Sequence, residues 1–231
     1  MRWTMKFILI LVAMSCGVES ENSTNSQTED ATTTSDPFYG SESVSRWTQL
    51  PIEVYIDENF NEDQIYDILS AIETWNDTAG LNLLDYLGTR KRPEHNTLSE
   101  QLSDTTIGIW AMSDWDKFKD NPVILGSADA RDASGQSFNN GAKNLTTGDV
   151  FLNLQHYNLV DAKDEAANFD YSSGKKYCDT ESLALHEIGH LLGLPHTYKV
   201  DAVMYPRVLI GPGLYNRDLS DYDVSSIKEK Y

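Results

Sequence analysis

The sequence contains few cysteines and few basic side chains. Only two cysteines, Cys16 and Cys178, occur among its 231 residues, which excludes a framework of several disulfides. Lysine and arginine number 18 against 36 aspartates and glutamates, so the formal net charge is -18. Such a charge repels phosphate backbones and anionic lipid surfaces. We therefore expect no nucleic-acid partner.

The sequence also lacks an apolar run long enough to span a membrane as a permanent helix. The run at residues 7–14 falls short of the ~20 apolar residues that spanning requires. It follows Arg2 and Lys6 and precedes small residues, a pattern typical of an export signal. We predict that residues 1–15 are a signal peptide and take no part in the fold.

Cys16 follows this signal directly, and two interpretations of it are open. The sequence Ala13-Met14-Ser15-Cys16 resembles a loose bacterial lipobox, in which the cysteine is acylated and becomes the new N-terminus. Ala13 stands where lipoboxes usually have leucine, so an ordinary cleaved signal peptide is the alternative. The first interpretation predicts a cell-surface or outer-membrane lipoprotein that touches the membrane only through Cys16. The second predicts a secreted protein.

A polar segment separates this signal from the rest of the chain. Residues 16–45 are rich in Ser, Thr, Asn and Glu and nearly devoid of large apolar side chains. Such a segment buries too little surface to offset the entropy lost on ordering, so we predict a disordered tether. Residues 46–231 suffice for one domain with a hydrophobic core. Cys178 has no disulfide partner within that domain. We expect the domain to be a monomer.

Hydrophobic periodicity predicts both strands and helices in this domain. Residues 52–57 alternate apolar and polar side chains, as a half-buried strand does. Residues 61–79 carry an apolar stripe at spacings of three and four, as an amphipathic helix does. Further strands are predicted at residues 105–111, 123–129 and 149–154. We therefore predict an α/β (α+β) domain built on a twisted mixed sheet.

A second, largely buried helix is predicted at residues 180–192, and it carries two histidines. His186 and His190 lie four residues apart, so both imidazoles lie on one helix face and can bind a single ion. Glu187 lies about 100° around the helix from His186. That is too far for a third ligand but within reach of a water molecule on the metal.

The residues after this helix can supply a third ligand. Gly193 can adopt the left-handed conformation that ends a helix, and Pro195 prevents the helix from continuing. The chain can then bring His196 back beneath the metal. Three histidines with one open position are typical of catalytic zinc. We predict one Zn²⁺ ion held by His186, His190 and His196.

This pattern resembles the zinc-binding motif of the metzincin proteases. The motif in this chain is His186-Glu187-x-x-His190-x-x-Gly193-x-x-His196, followed by Met204. Within the metzincins, the sequence Ala202-Val203-Met204-Tyr205-Pro206 is similar to the Met-turn of the matrixin branch, the matrix metalloproteinase-like enzymes. The C-terminal residues 219–231 also resemble the last helix of matrixins.

The resemblance implies a fold and a reaction. A metzincin catalytic domain has a twisted sheet, an active-site helix and a small C-terminal subdomain, here residues 193–231. The matrixin reaction is hydrolysis of peptide bonds in extracellular proteins or peptides. Zinc activates a water molecule, and Glu187 takes the proton from that water as the general base. Met204 would form a hydrophobic floor under the metal.

The resemblance also implies where a peptide substrate binds. An extended substrate would add a strand to the edge strand near Gly126 and Ala128 through main-chain hydrogen bonds. Pro206, Arg207 and Val208 would wall the pocket for a side chain on the primed side, which is C-terminal to the cleaved bond.

Two other functions are open from the sequence. The fold could serve a catalytically silent surface protein that binds a partner. The chain could also be a metzincin protease outside the matrixin branch, in which Tyr205 or a nearby tyrosine would coordinate zinc. The carboxylate-rich composition also suits bound Ca²⁺, for which a merely solvated acidic surface is the competing explanation.

Overall fold

The computed structural model describes residues 12–13, 45–119, 121–163 and 171–231. Cys16 and nearly all of the predicted signal peptide and tether lie outside these residues. The strands are β1 (Val12–Ala13), β2 (Arg46–Trp47), β3 (Ile52–Asp57), β4 (Leu84–Arg90), β5 (Gly108–Met112), β6 (Gly126–Asp132), β7 (Asn144–Asn153), β8 (Tyr157–Val160), β9 (Lys176–Asp179) and β10 (Arg207–Val208). The α-helices are α1 (Glu62–Ala79), α2 (Leu98–Gln101), α3 (Thr180–Leu191) and α4 (Asp221–Lys230).

Six strands form the central sheet. Their order is β2-β7-β5-β3-β4, and β6 pairs with β7. All pairings in this sheet are parallel except that of β6, which runs antiparallel to β7. β8 and β9 form a separate parallel pair. A mixed, mainly parallel sheet combined with helices confirms the predicted fold class.

Helix α1 begins and ends where its sequence provides caps. The Asn61 side chain accepts a hydrogen bond from the Gln64 backbone N–H, and the Gln64 side chain accepts one from the Asn61 backbone N–H. This reciprocal arrangement satisfies donors that a helix N-terminus leaves unpaired. The helix ends at Gly80, whose φ of 67° lies in the left-handed region. The helix predicted at residues 61–79 is therefore confirmed.

The strands match the sequence pattern where the alternation is strong. Residues 52–57 form β3 as predicted, with Ile52, Val54 and Ile56 buried. β4 is not predicted by the pattern, because it lies at a sheet edge and most of its side chains are exposed or half-buried. β7 begins at Asn144 instead of residue 149, since the polar side chains at its N-terminal end hide the strand period.

The two long helices pack against each other beside the sheet. A hydrogen bond of 3.0 Å from Trp75 Nε1 to the Leu185 carbonyl oxygen joins α1 to α3. One hydrophobic core contains residues of α1, α3, α4 and the central strands. Every residue of α3 except Glu181 is buried. The helix is therefore packed on all sides, which fixes the positions of its side chains.

The chain after α3 forms the small C-terminal part of the domain. β10 packs against α3, and α4 packs against α1. β1 pairs antiparallel with β10. Its two residues belong to the predicted signal peptide, so a processed protein would lack that strand. In the described ranges, no helix is both long and apolar enough to cross a membrane.

Candidate active site

Helix α3 places three of the predicted site residues. It begins after Asp179, whose side chain accepts a hydrogen bond of 3.0 Å from the Ser182 backbone N–H. From this start, His186 and His190 are one helical turn apart on the same face, and both are buried. Glu187 is buried beside them, with 1% of its surface exposed.

The turn after α3 brings in the third histidine. Gly193 has a φ of 83°, and a Cβ atom at this position would lie 2.7 Å from the Ser45 carbonyl oxygen. Both facts require glycine. The Leu194 backbone N–H donates to the Gly189 carbonyl oxygen at 2.9 Å, which closes the helix end. The redirected chain then carries His196 to the other two histidines.

The three imidazoles converge on one point. The Nε2 atoms of His186 and His190 are 3.2 Å apart, those of His186 and His196 3.2 Å, and those of His190 and His196 3.0 Å. Three nitrogens bound to one zinc at about 2.0–2.1 Å in tetrahedral geometry lie ~3.3 Å from one another. The observed triangle therefore fits a zinc ion. In the part of the chain that the structure describes, these histidines are the only such potential metal-binding group.

Hydrogen bonds made by Nδ1, on the other side of the ring from Nε2, fix the tautomer of two of the histidines. His186 Nδ1 donates to the Val203 carbonyl oxygen at 2.7 Å, and His190 Nδ1 donates to the Leu194 carbonyl oxygen at 2.8 Å. A neutral imidazole with a proton on Nδ1 carries a lone pair on Nε2. Two facing lone pairs repel each other, and a cation between them removes the repulsion. The donor set thus has the chemistry of a metal site.

Burial keeps the three imidazoles neutral. Desolvation lowers the pKa of His186 to about 4 and that of His196 to about 3. Desolvation also lowers the pKa of His190 well below its ordinary value, and the neighbouring histidines add to this effect. A protonated imidazole cannot bind a metal ion, whereas these neutral ones can at physiological pH.

The carboxyl group of Glu187 is enclosed beside the histidines. Among the described residues its Oε2 atom has no hydrogen-bond partner. Desolvation raises the pKa of Glu187 to about 8, and the positive charge of Lys119 opposes this rise. A divalent cation on the three histidines would also favour the ionised form. Burial and a cation on the histidines would therefore shift the pKa of Glu187 in opposite directions.

Gly126, predicted as a substrate contact, adjoins this carboxyl group. A Cβ atom on Gly126 would lie 2.7 Å from Glu187 Oε1. The missing side chain leaves room for the carboxyl group at the start of β6. The local sequence does not predict this packing role, because the role depends on a contact between residues 61 positions apart in the chain.

The Met-turn contacts α3 beside the histidines. A Cβ atom on Gly189 would lie only 2.3 Å from Met204 Sδ, so glycine in α3 allows the methionine to approach. Met204 is buried, as the predicted floor would be. The Asp223 side chain accepts hydrogen bonds from the Val203 backbone N–H at 2.9 Å and the Met204 backbone N–H at 3.3 Å.

Asp223 is thus a site-supporting residue that the sequence analysis missed. Its side chain also caps α4 together with Ser220, and this second role is the one that the local pattern predicts. The complete burial of this carboxylate, which only the structure shows, agrees with these further partners, and the sequence carries no local signal of them.

The other predicted substrate-binding residues lie on elements that touch α3. Ala128 lies on β6 opposite Val150 of β7, and Arg207 and Val208 form β10. Both β6 and β10 contact α3. Val208 is buried, Arg207 is exposed and Pro206 is half-buried. The two predicted substrate-binding segments therefore adjoin the helix that carries the histidines.

Comparison with known proteins agrees with this geometry. Metalloendoproteinase 1 from Glycine max is 45% identical over 53 residues, which cover 23% of this chain and 17% of that protein. Matrix metalloproteinase-21 from Homo sapiens is 33% identical over 97 residues, 42% of this chain and 15% of that protein. Matrix metalloproteinase-21 from Mus musculus is 25% identical over 195 residues, 84% of this chain and 28% of that protein.

This chain spans less than a third of the length of these curated relatives. The family described as Matrixin matches residues 55–231, which is well over half of the chain and includes α3 and the turn after it. The chain therefore belongs to the matrixin family.

Proposed function

We propose that the chain is a zinc-dependent endopeptidase that hydrolyses peptide bonds in extracellular proteins or peptides. The observation that carries this proposal is the triangle of neutral, buried Nε2 atoms, 3.0–3.2 Å apart, beside the buried carboxyl group of Glu187. His186, His190 and His196 would hold one zinc ion. The similarity to Metalloendoproteinase 1 from Glycine max supports the reaction class.

Glu187 would handle the proton of the reaction. The zinc ion that the three histidines would hold would supply Lewis-acid chemistry, namely a polarised scissile carbonyl and a lowered pKa of a water molecule. A Glu187 carboxylate oxygen takes a proton from the attacking water, and the resulting carboxylic acid donates that proton to the departing amine. A raised pKa suits both steps, because the group must accept and release a proton at the same pH.

The substrate would bind in extended form along β6. Main-chain hydrogen bonds near Gly126 and Ala128 would hold it, and the scissile bond would then lie close to Glu187, which Gly126 contacts. Pro206, Arg207 and Val208 would wall the primed-side pocket. Because Val208 is buried against α3, this wall has a fixed position relative to the histidines.

We further propose that residues 1–15 direct export, that Cys16 carries a lipid anchor, that residues 16–45 form a tether and that residues 46–231 act as a monomeric catalytic domain. The sequence pattern alone supports these assignments. Mass spectrometry of the N-terminal peptide from membrane fractions would test the anchor, since acylated Cys16 adds the mass of its lipid. An unmodified N-terminus elsewhere in the chain would contradict it.

The competing function is a catalytically silent protein that uses the same fold to bind a partner. Incubation of purified protein with casein or gelatin, with and without a chelator, separates the two. We expect cleavage that the chelator abolishes and that added zinc restores. Protein that contains stoichiometric zinc yet cleaves neither substrate would favour the silent binder.

A further inference from the structure

The segment that follows β10 is tied to the rest of the domain at both of its ends. We call residues 209–217 the wall loop, because they continue the proposed pocket wall. At its N-terminal end, the Gly211 backbone N–H donates to the Tyr177 carbonyl oxygen at 2.8 Å, and Ile210 bridges to Cys178. These contacts attach the wall loop to β9.

Arg217 makes the attachment at the C-terminal end. Its Nε and Nη2 atoms donate to the two oxygens of Asp179 at 2.9 and 2.6 Å, a bidentate pair. Its Nη1 atom donates to Glu181 at 2.7 Å, and Nη2 also pairs with Asp161. The Arg217 side chain is only 13% exposed. Because the planar guanidinium group donates hydrogen bonds to three carboxylates, it holds the wall loop in one orientation.

The principal partner of Arg217 is the residue that starts the active-site helix. The buried Asp179 carboxylate also accepts hydrogen bonds from the Ser182 backbone N–H at 3.0 Å, the Ser182 hydroxyl at 2.7 Å and the Ala162 backbone N–H at 2.8 Å. The Ser182 hydroxyl in turn accepts from the Asn216 backbone N–H at 2.7 Å. One carboxylate thus connects the wall loop to the N-terminus of α3.

We propose that Arg217 is a positioning residue that sets primed-side specificity by latching the wall loop to the N-terminus of α3. The inference rests on the proposed function, which places Pro206, Arg207 and Val208 in the pocket wall that the wall loop continues. The substrate feature concerned is the side chain immediately after the cleaved bond. A fixed wall admits side chains up to a defined size, whereas a loose wall discriminates poorly.

Arg217 and its carboxylate partners, here called the latch, should affect specificity and not zinc binding, because other residues hold the metal site in place. The Val203 and Leu194 carbonyl oxygens hold His186 and His190, and Asp223 holds the Met-turn. Asp179 lies seven residues before His186, about 10 Å along the helix axis. Loss of Arg217 should therefore release the wall loop and leave zinc binding intact.

The test compares Arg217→Gln and Arg217→Lys with the wild-type protein. Arg92→Gln is the matched control, because Arg92 is similarly buried, pairs with Asp114 at 2.7 Å and contributes nothing to the latch. Hydrogen–deuterium exchange is measured in residues 209–217 and in α3, and zinc content is measured in parallel. Cleavage is measured with two peptides that differ only in leucine or alanine after the cleaved bond.

We expect faster exchange in residues 209–217 of Arg217→Gln, with α3 protection and zinc content unchanged. The preference between the two peptides should fall about tenfold, through KM more than kcat. Arg217→Lys should recover part of the protection, because one ammonium group replaces only part of the fork. Arg92→Gln should match the wild type in all these measurements.

Unchanged exchange in the wall loop, or unchanged preference between the peptides, would overturn the proposal. If Arg217→Gln does not fold, Glu181→Gln removes a single arm of the latch and should show the same changes at smaller size. If the wild-type protein cleaves no peptide, the proposed function fails. The exchange measurement still decides whether Arg217 holds the wall loop.

Discussion

Single residues of the site are each constrained by more than one demand. His186 and His190 must remain neutral, and their Nδ1 hydrogen bonds and burial achieve this together. Gly126 and Gly189 leave room for neighbouring side chains. A Cβ atom would lie too close to Glu187 at Gly126 and too close to Met204 at Gly189.

Replacement of Glu187 should separate metal binding from catalysis. In Glu187→Ala the three histidines are untouched, so one zinc per chain should be retained. Loss of the general base should lower kcat by about 10²–10⁴-fold. Glu229→Ala, at an exposed position in α4, is the control and should leave kcat unchanged. Wild-type turnover by Glu187→Ala would remove Glu187 from the mechanism.

Replacement of Gly126 should impair catalysis with little loss of stability. In Gly126→Ala the new methyl group would lie 2.7 Å from Glu187 Oε1 and 2.9 Å from its Cγ atom. The flexible carboxyl group can move aside, but it then leaves its working position. We expect kcat to fall about 10²-fold, since a displacement of about 1 Å can cost that much.

Thermal unfolding and steady-state kinetics check this expectation. Ser127→Ala, at the next position of the same strand, is the control and should retain most of the activity. A Gly126→Ala enzyme with wild-type kcat would show that the carboxyl group tolerates the displacement.

At the scale of elements, the packing of α1 against the start of α3 buries a carboxyl group that the mechanism does not use. Asp67 on α1 is 3% exposed, and its Oδ2 atom has no hydrogen-bond partner among the described residues. Desolvation raises the pKa of Asp67 to about 7, and Arg217 opposes the rise. The negative charges that add to it belong to Asp161, Asp179 and Glu181.

This carboxyl group should make stability fall as pH rises. The unfolded chain releases the Asp67 proton near the ordinary aspartate pKa of 3.8, whereas the folded chain keeps it until about pH 7. Between these values the folded state binds more protons, so its free energy of unfolding decreases with increasing pH. The asparagine of Asp67→Asn does not ionise. The variant should therefore be more stable than the wild type at pH 8, by on the order of 2 kcal/mol.

Chemical denaturation of both proteins at pH 4 and pH 8 measures the effect. The difference between Asp67→Asn and wild type should be small at pH 4 and large at pH 8. Glu73→Gln, on the exposed side of the same helix, should show no such difference. Equal differences at the two pH values would place the Asp67 pKa near that of a solvated carboxyl group.

The whole molecule shows which features a sequence can disclose. Helix α1 and strand β3 follow from local periodicity and caps, because their buried residues recur at the spacing of the element. The three histidines also follow, since a helix and a glycine turn bring them together within 11 residues. The central strands were placed by their apolar runs, with ends that shifted by several residues.

Other features depend on contacts between distant residues and have no local signal. Asp179 and Arg217 are 38 residues apart, and Asp223 reaches the Met-turn across 20 residues. Each of these side chains sits in a segment whose local pattern predicts only a helix cap or a loop. The sequence therefore predicts the metal ligands and not the scaffold that holds the wall loop and the Met-turn around them.

The central claim is that three imidazoles hold one catalytic zinc ion, and X-ray absorption at the zinc edge tests it most directly. The spectrum is recorded on purified protein that cleaves casein. We predict one zinc per chain with three imidazole nitrogens at about 2.0–2.1 Å and one oxygen ligand from water. Active protein without zinc, or zinc with sulfur ligands or with fewer than three imidazoles, would contradict the account.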